Sequence, residues 1–149
     1  MIFVPLLLWS LFAGAAAVSW PKGKQAWWMN LSTPLFLFYA LYYMAFDRVV
    51  GTLAAAIYLA VYLSANALVY AEKRQKDVLP KGASLRIAVA MHVVSWVLQV
   101  FVGHGLLEGR KPALFDSLWQ ALTMAPLFVV YETLFMMGCV VPSAVSVKS

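Results

Sequence analysis

Apolar residues fall into five long runs, residues 2–20, 31–46, 49–71, 85–107 and 118–141, and the polar and charged residues collect in the short stretches between them. The pattern predicts an all-α chain, a polytopic membrane helical bundle with about four to five transmembrane helices, since a crossing helix takes about 20 predominantly apolar residues, range about 17 to 25. The first, third, fourth and fifth runs qualify by length; the second is short for a bilayer. Between the second and third runs only Phe46-Asp47-Arg48-Val49 intervenes, with Gly51 close behind, which predicts a tight helical hairpin with residues 31–71 as one antiparallel pair.

The connections carry their own signals. Trp20-Pro21-Lys22-Gly23-Lys24, followed by Trp27 and Trp28, reads as an interfacial link in which proline and glycine end a helix and the indoles sit at headgroup depth. The most hydrophilic stretch, residues 72–82, reads as a solvated loop entering the fourth run near Ser84. Gly14-Ala15-Ala16-Ala17 mimics a leader-peptide cleavage site, but no basic region precedes the first run, and a retained helix is the expectation. With alternating connections, Lys22, Lys24, Lys73, Arg74, Lys76, Lys81, Arg86 and Lys148 gather on one side, against Arg48, Arg110 and Lys111 on the other. The positive-inside rule then places the C-terminus in the cytosol and Met1 outside.

Composition agrees with a membrane chain. Hydrophobic residues make up 64% and charged residues 11%, against about 25% charged in soluble domains, and the mean hydropathy is +0.82. The 149 residues form one transmembrane domain, with no linker-like tract to divide it. The single cysteine, Cys139, excludes an intramolecular disulfide and a cysteine metal cluster. The net charge of +5 fits basic residues drawn to anionic headgroups, and no clustered basic face with base-stacking aromatics points to nucleic acid.

Against this apolar background the stretch from Phe101 to Leu114 stands out, because it holds His104, Glu108 and Arg110. Ionisable groups are costly near lipid, so their clustering implies chemistry or recognition. His104 and Glu108 are four apart and share a helix face, suited to ligating a cation or exchanging a proton. His92 lies about 18 Å and roughly 120° away along a straight helix. Both histidines can serve one metal only through a break, for which Gly103 and Gly105 are available; otherwise one of them binds alone. Each residue also has a structural reading. His92 can bond a neighbouring helix's carbonyl and Gln99 can hydrogen-bond between helices. Glu108, Arg110 and Asp116 can form an interfacial ion-pair network, with Asp116 capping the last helix. Glu132, inside the fifth run, is expected to pair with His92 or Arg110.

The run His92-Val-Val-Ser-Trp96-Val-Leu-Gln99-Val-Phe-Val-Gly103-His104-Gly, then Glu108-Gly-Arg110-Lys-Pro112-Ala113-Leu114, Asp116-Ser-Leu118, Ala125-Pro126 and Glu132, resembles the yeast-type endoplasmic-reticulum 2-hydroxy fatty acid dioxygenase family. The similarity is close over residues 92–135, and Ile2-Phe3-Val4-Pro5 resembles the start of that family's first membrane segment. The resemblance implies an Fe(II)-dependent non-haem dioxygenase of fatty-acid α-oxidation, acting in phytosphingosine catabolism. Such an enzyme shortens a 2-hydroxy long-chain fatty acid by one carbon. Its implied setting is a multi-pass place in the endoplasmic-reticulum membrane, or in the inner membrane of a bacterial source.

Carried onto this sequence, the resemblance makes His104 and His92 the candidate iron ligands and Glu108 a third ligand or an orienting group. Glu108 and Asp116 are the candidate catalytic carboxylates, and Arg110 and Gln99 the candidate substrate-binding residues. Imidazole and carboxylate suit Fe(II), and an arginine fork suits a fatty carboxylate. The expected partners are a 2-hydroxy long-chain fatty acid, dioxygen and membrane lipids. The family also carries a histidine- and asparagine-containing segment ahead of the Phe-Val-Pro motif, whereas this sequence starts at Met1-Ile2-Phe3. If those histidines are ligands, the expectation is a truncated chain or one without metal.

The second expectation is a non-catalytic membrane protein, either a lipid-binding or scaffolding remnant of the same family or a small transporter. Transport predicts polar residues across several spans and an internal repeat. Asn66, Ser64 and Gln99 are few, and polar residues concentrate in the last two runs.

Overall fold

The structure is a computed structural model, and it describes residues 3–19, 26–74, 79–98 and 118–138. Among these, five helices and no strand are present: α1 (Phe3–Ser19), α2 (Ser32–Phe46), α3 (Arg48–Arg74), α4 (Ala83–Val97) and α5 (Leu118–Met136). Each of the five predicted apolar runs is helical over its described residues, in keeping with the all-α expectation. Among the described residues α3 alone is long and apolar enough to cross a membrane, and α2 and α4, at 15 residues each, reach about 22 Å at 1.5 Å per residue.

The predicted hairpin is present and tighter than a loop. Asp47 alone separates α2 from α3; its extended backbone (φ −146°, ψ 123°) turns the chain while its N–H closes α2 on the Tyr43 carbonyl. Its carboxylate then starts α3, Oδ1 accepting from the N–H groups of Val49 at 2.8 Å and Val50 at 2.9 Å. An aspartate at that position satisfies donors that the first helical turn leaves unpaired. The helices diverge so little that a Cβ placed on Gly51 would sit 2.0 Å from the Tyr43 carbonyl oxygen. At the far end Ser32 meets Asn66, which makes the pair antiparallel.

The fourth helix starts differently. Gly82 precedes it at φ +79°, a left-handed conformation that glycine adopts without a Cβ penalty. The expectation of a wholly solvated loop at residues 72–82 is corrected at Glu72, whose side chain is 3% exposed. Its Oε1 accepts from Gly82 N–H and its Oε2 from Ser84 N–H, each at 2.7 Å, and the Ser84 hydroxyl donates to Oε2 as well. The last turn of α3 therefore caps the first turn of α4.

Helix α1 lies in the middle and touches the other four. It runs antiparallel to α4, with Ser10 beside His92 and Gly14 facing Ala88. It also runs antiparallel to α2, with Phe12 beside Tyr39 and the Ser19 hydroxyl bonded to Leu31 N–H. Buried Ala13, Ala16, Ala54, Ala65 and Ala88 let the backbones approach. Phe12, Tyr39, Tyr43, Tyr58 and Tyr62 fill the space that remains, and small residues at helix contacts are how apolar helices gain close packing.

Strict alternation of helix direction ends at α5. Tyr42 donates to Met124 Sδ, Tyr58 to the Pro126 carbonyl and Tyr131 to Asp47. Helix α5 is thus parallel to α2 and antiparallel to α3, and runs the same way as α4. Its last turn lies at the Arg48 end, opposite Lys73 and Arg74. The expectation that the fifth helix ends on the lysine-rich side is corrected by these contacts; Lys148 itself lies outside the described residues.

Candidate functional site

Of the sequence-derived candidates, the structure describes His92 and Glu132. Gln99, His104, Glu108, Arg110 and Asp116 lie outside the described residues, as do Cys139 and the Trp20 to Lys24 link.

His92 is half-buried on α4 and faces α1. The Ser10 hydroxyl, itself buried, donates to the Leu7 carbonyl at 2.8 Å. Ser10 Oγ also lies 2.8 Å from His92 Nδ1; where the hydroxyl proton stays donated to the Leu7 carbonyl, the ring is the donor in that contact. This tautomer leaves the lone pair on Nε2. A ring held through Nδ1–H with a bare Nε2 is the arrangement that metal-ligating histidines adopt, the second nitrogen fixing tautomer and orientation. Ser10 was not a sequence candidate; a lone serine in an apolar run gives no sign of which helix it will face. The expected partnership of His92 with Glu132 is corrected: His92 is engaged by α1, and Glu132 is exposed on α5.

A second polar group sits nearer the basic end, in the contact of α2 with α3. Asn30 Nδ2 donates to Asn66 Oδ1 at 2.9 Å and to the Trp27 carbonyl at 2.7 Å. Asn66 Nδ2 in turn donates to Ser32 Oγ at 2.9 Å and to the Tyr62 carbonyl at 3.0 Å, while Ser32 N–H reaches Asn30 Oδ1 at 2.9 Å. The group is internally satisfied, so it serves as a clasp rather than a transport pathway. Beside it, Thr33 Oγ1 and Tyr62 OH are 2.7 Å apart, and the Tyr62 ring stacks on Phe36 with centroids 5.0 Å apart. Tyr43 is the exception. Its hydroxyl is buried with no hydrogen-bond partner among the described residues.

At the opposite end Asp47 holds three elements. Besides capping α3 it accepts from the Tyr131 hydroxyl at 2.6 Å. The Tyr131 hydrogen bond, with those from Val50 and Val49, holds its carboxyl below the usual carboxylate range against a small opposing effect of burial.

Among the described residues no three His, Cys, Asp or Glu gather into a group that could hold a metal ion. Of the candidate ligands, then, the described part supplies His92 alone.

The family described as 2-hydroxy-palmitic acid dioxygenase Mpo1-like matches residues 1–137 of this sequence. The chain belongs to that family. One relative is the 2-hydroxy-palmitic acid dioxygenase MPO1 of Saccharomyces cerevisiae, 31% identical over 137 residues that cover 92% of this chain and 69% of the relative. No solved structure matches. Membership of the Mpo1-like family extends the resemblance seen over residues 92–135 through α1, α2 and α3, so the whole described bundle is family structure. It also assigns the chain to dioxygenase-related lipid metabolism.

Proposed function

We propose that this chain is an Fe(II)-dependent dioxygenase that shortens 2-hydroxy long-chain fatty acids by one carbon. The reading is carried by family membership along 137 residues. The bond broken is C1–C2: C1 leaves as carbon dioxide, the hydroxyl-bearing C2 becomes the new carboxyl carbon, and the four electrons lost by the substrate reduce one dioxygen, so that 2-hydroxy acid and O2 give the shortened acid, carbon dioxide and water. Dioxygen is the oxidant. Bound iron would supply the activation of dioxygen; the residues of the chain bind and orient. In this reading His92 and His104 ligate through imidazole nitrogens, with Glu108 a third ligand or an orienting group and Asp116 a second catalytic carboxylate. Arg110 clamps the substrate carboxylate and Gln99 contacts the substrate. Ser10 belongs to the same proposal, since it fixes the His92 ring.

The setting we propose is a multi-pass place in the endoplasmic-reticulum membrane. Supporting it, the helices present exposed large apolar side chains outward, among them Leu37, Leu41, Val49, Val93, Phe128 and Phe135. Contiguous apolar surface is limited on soluble monomers, and outward apolar side chains on several helices suit a lipid neighbour.

The test is mass-spectrometric product analysis of the purified chain supplied with Fe(II), dioxygen and 2-hydroxypalmitate, with His104→Ala as control. The expected result is the acid one carbon shorter, lost in the control. A folded chain that binds 2-hydroxypalmitate but yields no product would overturn the enzyme in favour of a lipid-binding role.

A further inference from the structure

The described charges of this chain are segregated by end. Where α1 and α3 stop and α2 and α4 begin lie Lys73, Arg74, Lys81 and Arg86, the last three well exposed and Lys73 37% exposed at its side chain. Among the described residues the carboxylate at that end is Glu72, buried and engaged by Gly82 and Ser84, with Lys73 Nζ 3.7 Å from Oε1. Asp47 and Glu132 lie at the other end with Arg48. Among the described residues the Lys73 end of the bundle is therefore cationic on its surface, with Glu72 turned inward to cap a helix.

The same end carries exposed Trp27, Trp28, Met29 and Leu31. Between Lys73 and Lys81 is a cleft of about 430 Å³, lined also by Glu72, Leu79, Pro80 and Gly82. Indoles favour the boundary between headgroups and acyl chains, and lysine and arginine beside them favour anionic over zwitterionic headgroups. Neither feature alone names a partner. Together, on one end, they fit a surface that is negative at its outer layer and apolar just beneath.

We infer that this end of the bundle seats on anionic phospholipid, with Trp27 and Trp28 at headgroup depth and Lys73, Arg74, Lys81 and Arg86 on the phosphates. The inference does not depend on the oxygenase reading, and a chain without turnover can still satisfy it.

The test uses the full chain in mixed micelles doped with pyrene-tagged phosphatidylserine or phosphatidylcholine, reading the quenching of tryptophan emission. Each cation near an anionic surface is worth about fivefold in partitioning, so phosphatidylserine should bind at least about tenfold better at low salt. The preference should shrink toward parity in 0.5 M NaCl, and it should vanish in the combined variant Lys73→Gln, Arg74→Gln, Lys81→Gln, Arg86→Gln. Equal binding of both lipids by the native chain overturns the inference, as does a preference that survives in the variant. Soluble glycerophosphoserine competing as well as the lipid would also overturn it, since that marks a phosphate pocket rather than a lipid surface. Should the variant fail to fold, the salt series on the native chain decides.

Discussion

The Tyr131 hydroxyl donates to Asp47 Oδ2 at 2.6 Å while Oδ1 of the same carboxylate accepts from Val49 and Val50. One side chain thereby ends a hairpin, starts α3 and holds α5. Because the Asp47 carboxylate also anchors α5 through Tyr131, the loss of Asp47 should loosen the bundle more than a cap alone would. We expect Asp47→Ala to cost about 1–2 kcal/mol, the range for a lost N-cap, and Tyr131→Phe to cost less, with the cap intact. Melting temperatures of the two variants in one detergent check the order; a larger loss for Tyr131→Phe would refute it.

The same carboxylate sets a pH dependence. Its folded value lies below the usual one because Tyr131 and the Val50 and Val49 amides favour the charged form. Such a group contributes stability in full above its unfolded value of about 3.9, and that contribution is lost as pH falls through the lowered folded value. Acid unfolding curves of the native chain and Asp47→Asn should therefore stay apart at neutral pH, begin to converge at about pH 4 and meet once pH has fallen through the lowered folded value. Curves that stay parallel throughout would exclude Asp47 as the titrating group.

Helix positions and the hairpin were legible in the sequence because continuous apolar runs and a single Asp-Arg break leave little freedom. What could not be read is which polar residue faces which helix. Ser10, Asn30 and Ser32 sit in apolar or mixed contexts that look alike in one dimension, and their partners His92 and Asn66 lie far along the chain. Glu72 was misread because a charged run looks solvated, while its role depends on Gly82 and Ser84 arriving opposite it. The direction of α5 was likewise hidden, since alternation is the default and it is overturned only by contacts distant in sequence, Tyr42 with Met124, Tyr58 with Pro126 and Tyr131 with Asp47. In the proposed site, residue type alone points to His92, while its contact with Ser10 is visible only in the structure.

Glu72 joins α3 to α4 through acceptor oxygens in a buried place, and its removal leaves the Gly82 and Ser84 N–H groups without their carboxylate. Hydrogen bonds to charged groups contribute about 1.5–3 kcal/mol, so Glu72→Ala should destabilise by about 2–3 kcal/mol. Glu72→Gln should recover less than half of that, because its amide nitrogen presents a donor where an acceptor is needed. Thermal unfolding of the three proteins measures this. Glu72→Gln matching the native chain would show that the charge and the second acceptor are dispensable.

Gly51 tests the hairpin. An added Cβ would meet backbone atoms, the Tyr43 carbonyl oxygen at 2.0 Å and its carbon at 2.4 Å, which cannot swing aside as a side chain can. Gly51→Ala should cost about 3 kcal/mol or more, toward the upper end for overpacking, and should lower the yield of folded protein. By contrast Gly14→Ala meets Ala88 Cβ at an ordinary 3.9 Å and should be tolerated. Equal behaviour of the two variants would contradict the close approach of α2 and α3.

Ser10 is a positioning residue in the proposed site, acting through His92 and not on substrate. Where the hydroxyl proton goes to the Leu7 carbonyl, Oγ accepts from Nδ1–H at 2.8 Å and the lone pair is left on Nε2. Ser10→Ala removes that hold, and the ring is free to take the other tautomer or turn. Loss of a partner that orients a ligating histidine costs about 10–100-fold in metal affinity or activity. Ser10→Ala should therefore weaken Fe(II) binding by about that factor while leaving the melting temperature of the metal-free chain within about 3 °C, the effect of roughly 1 kcal/mol at this size. Co(II) in place of iron gives a visible absorption spectrum that reports the ligand field directly, so a displaced imidazole changes the spectrum as well as the affinity. Ser10→Thr, which keeps the hydroxyl, should restore both. Unchanged metal affinity and spectrum in Ser10→Ala would leave the 2.8 Å contact as helix packing between α1 and α4, and would remove Ser10 from the site.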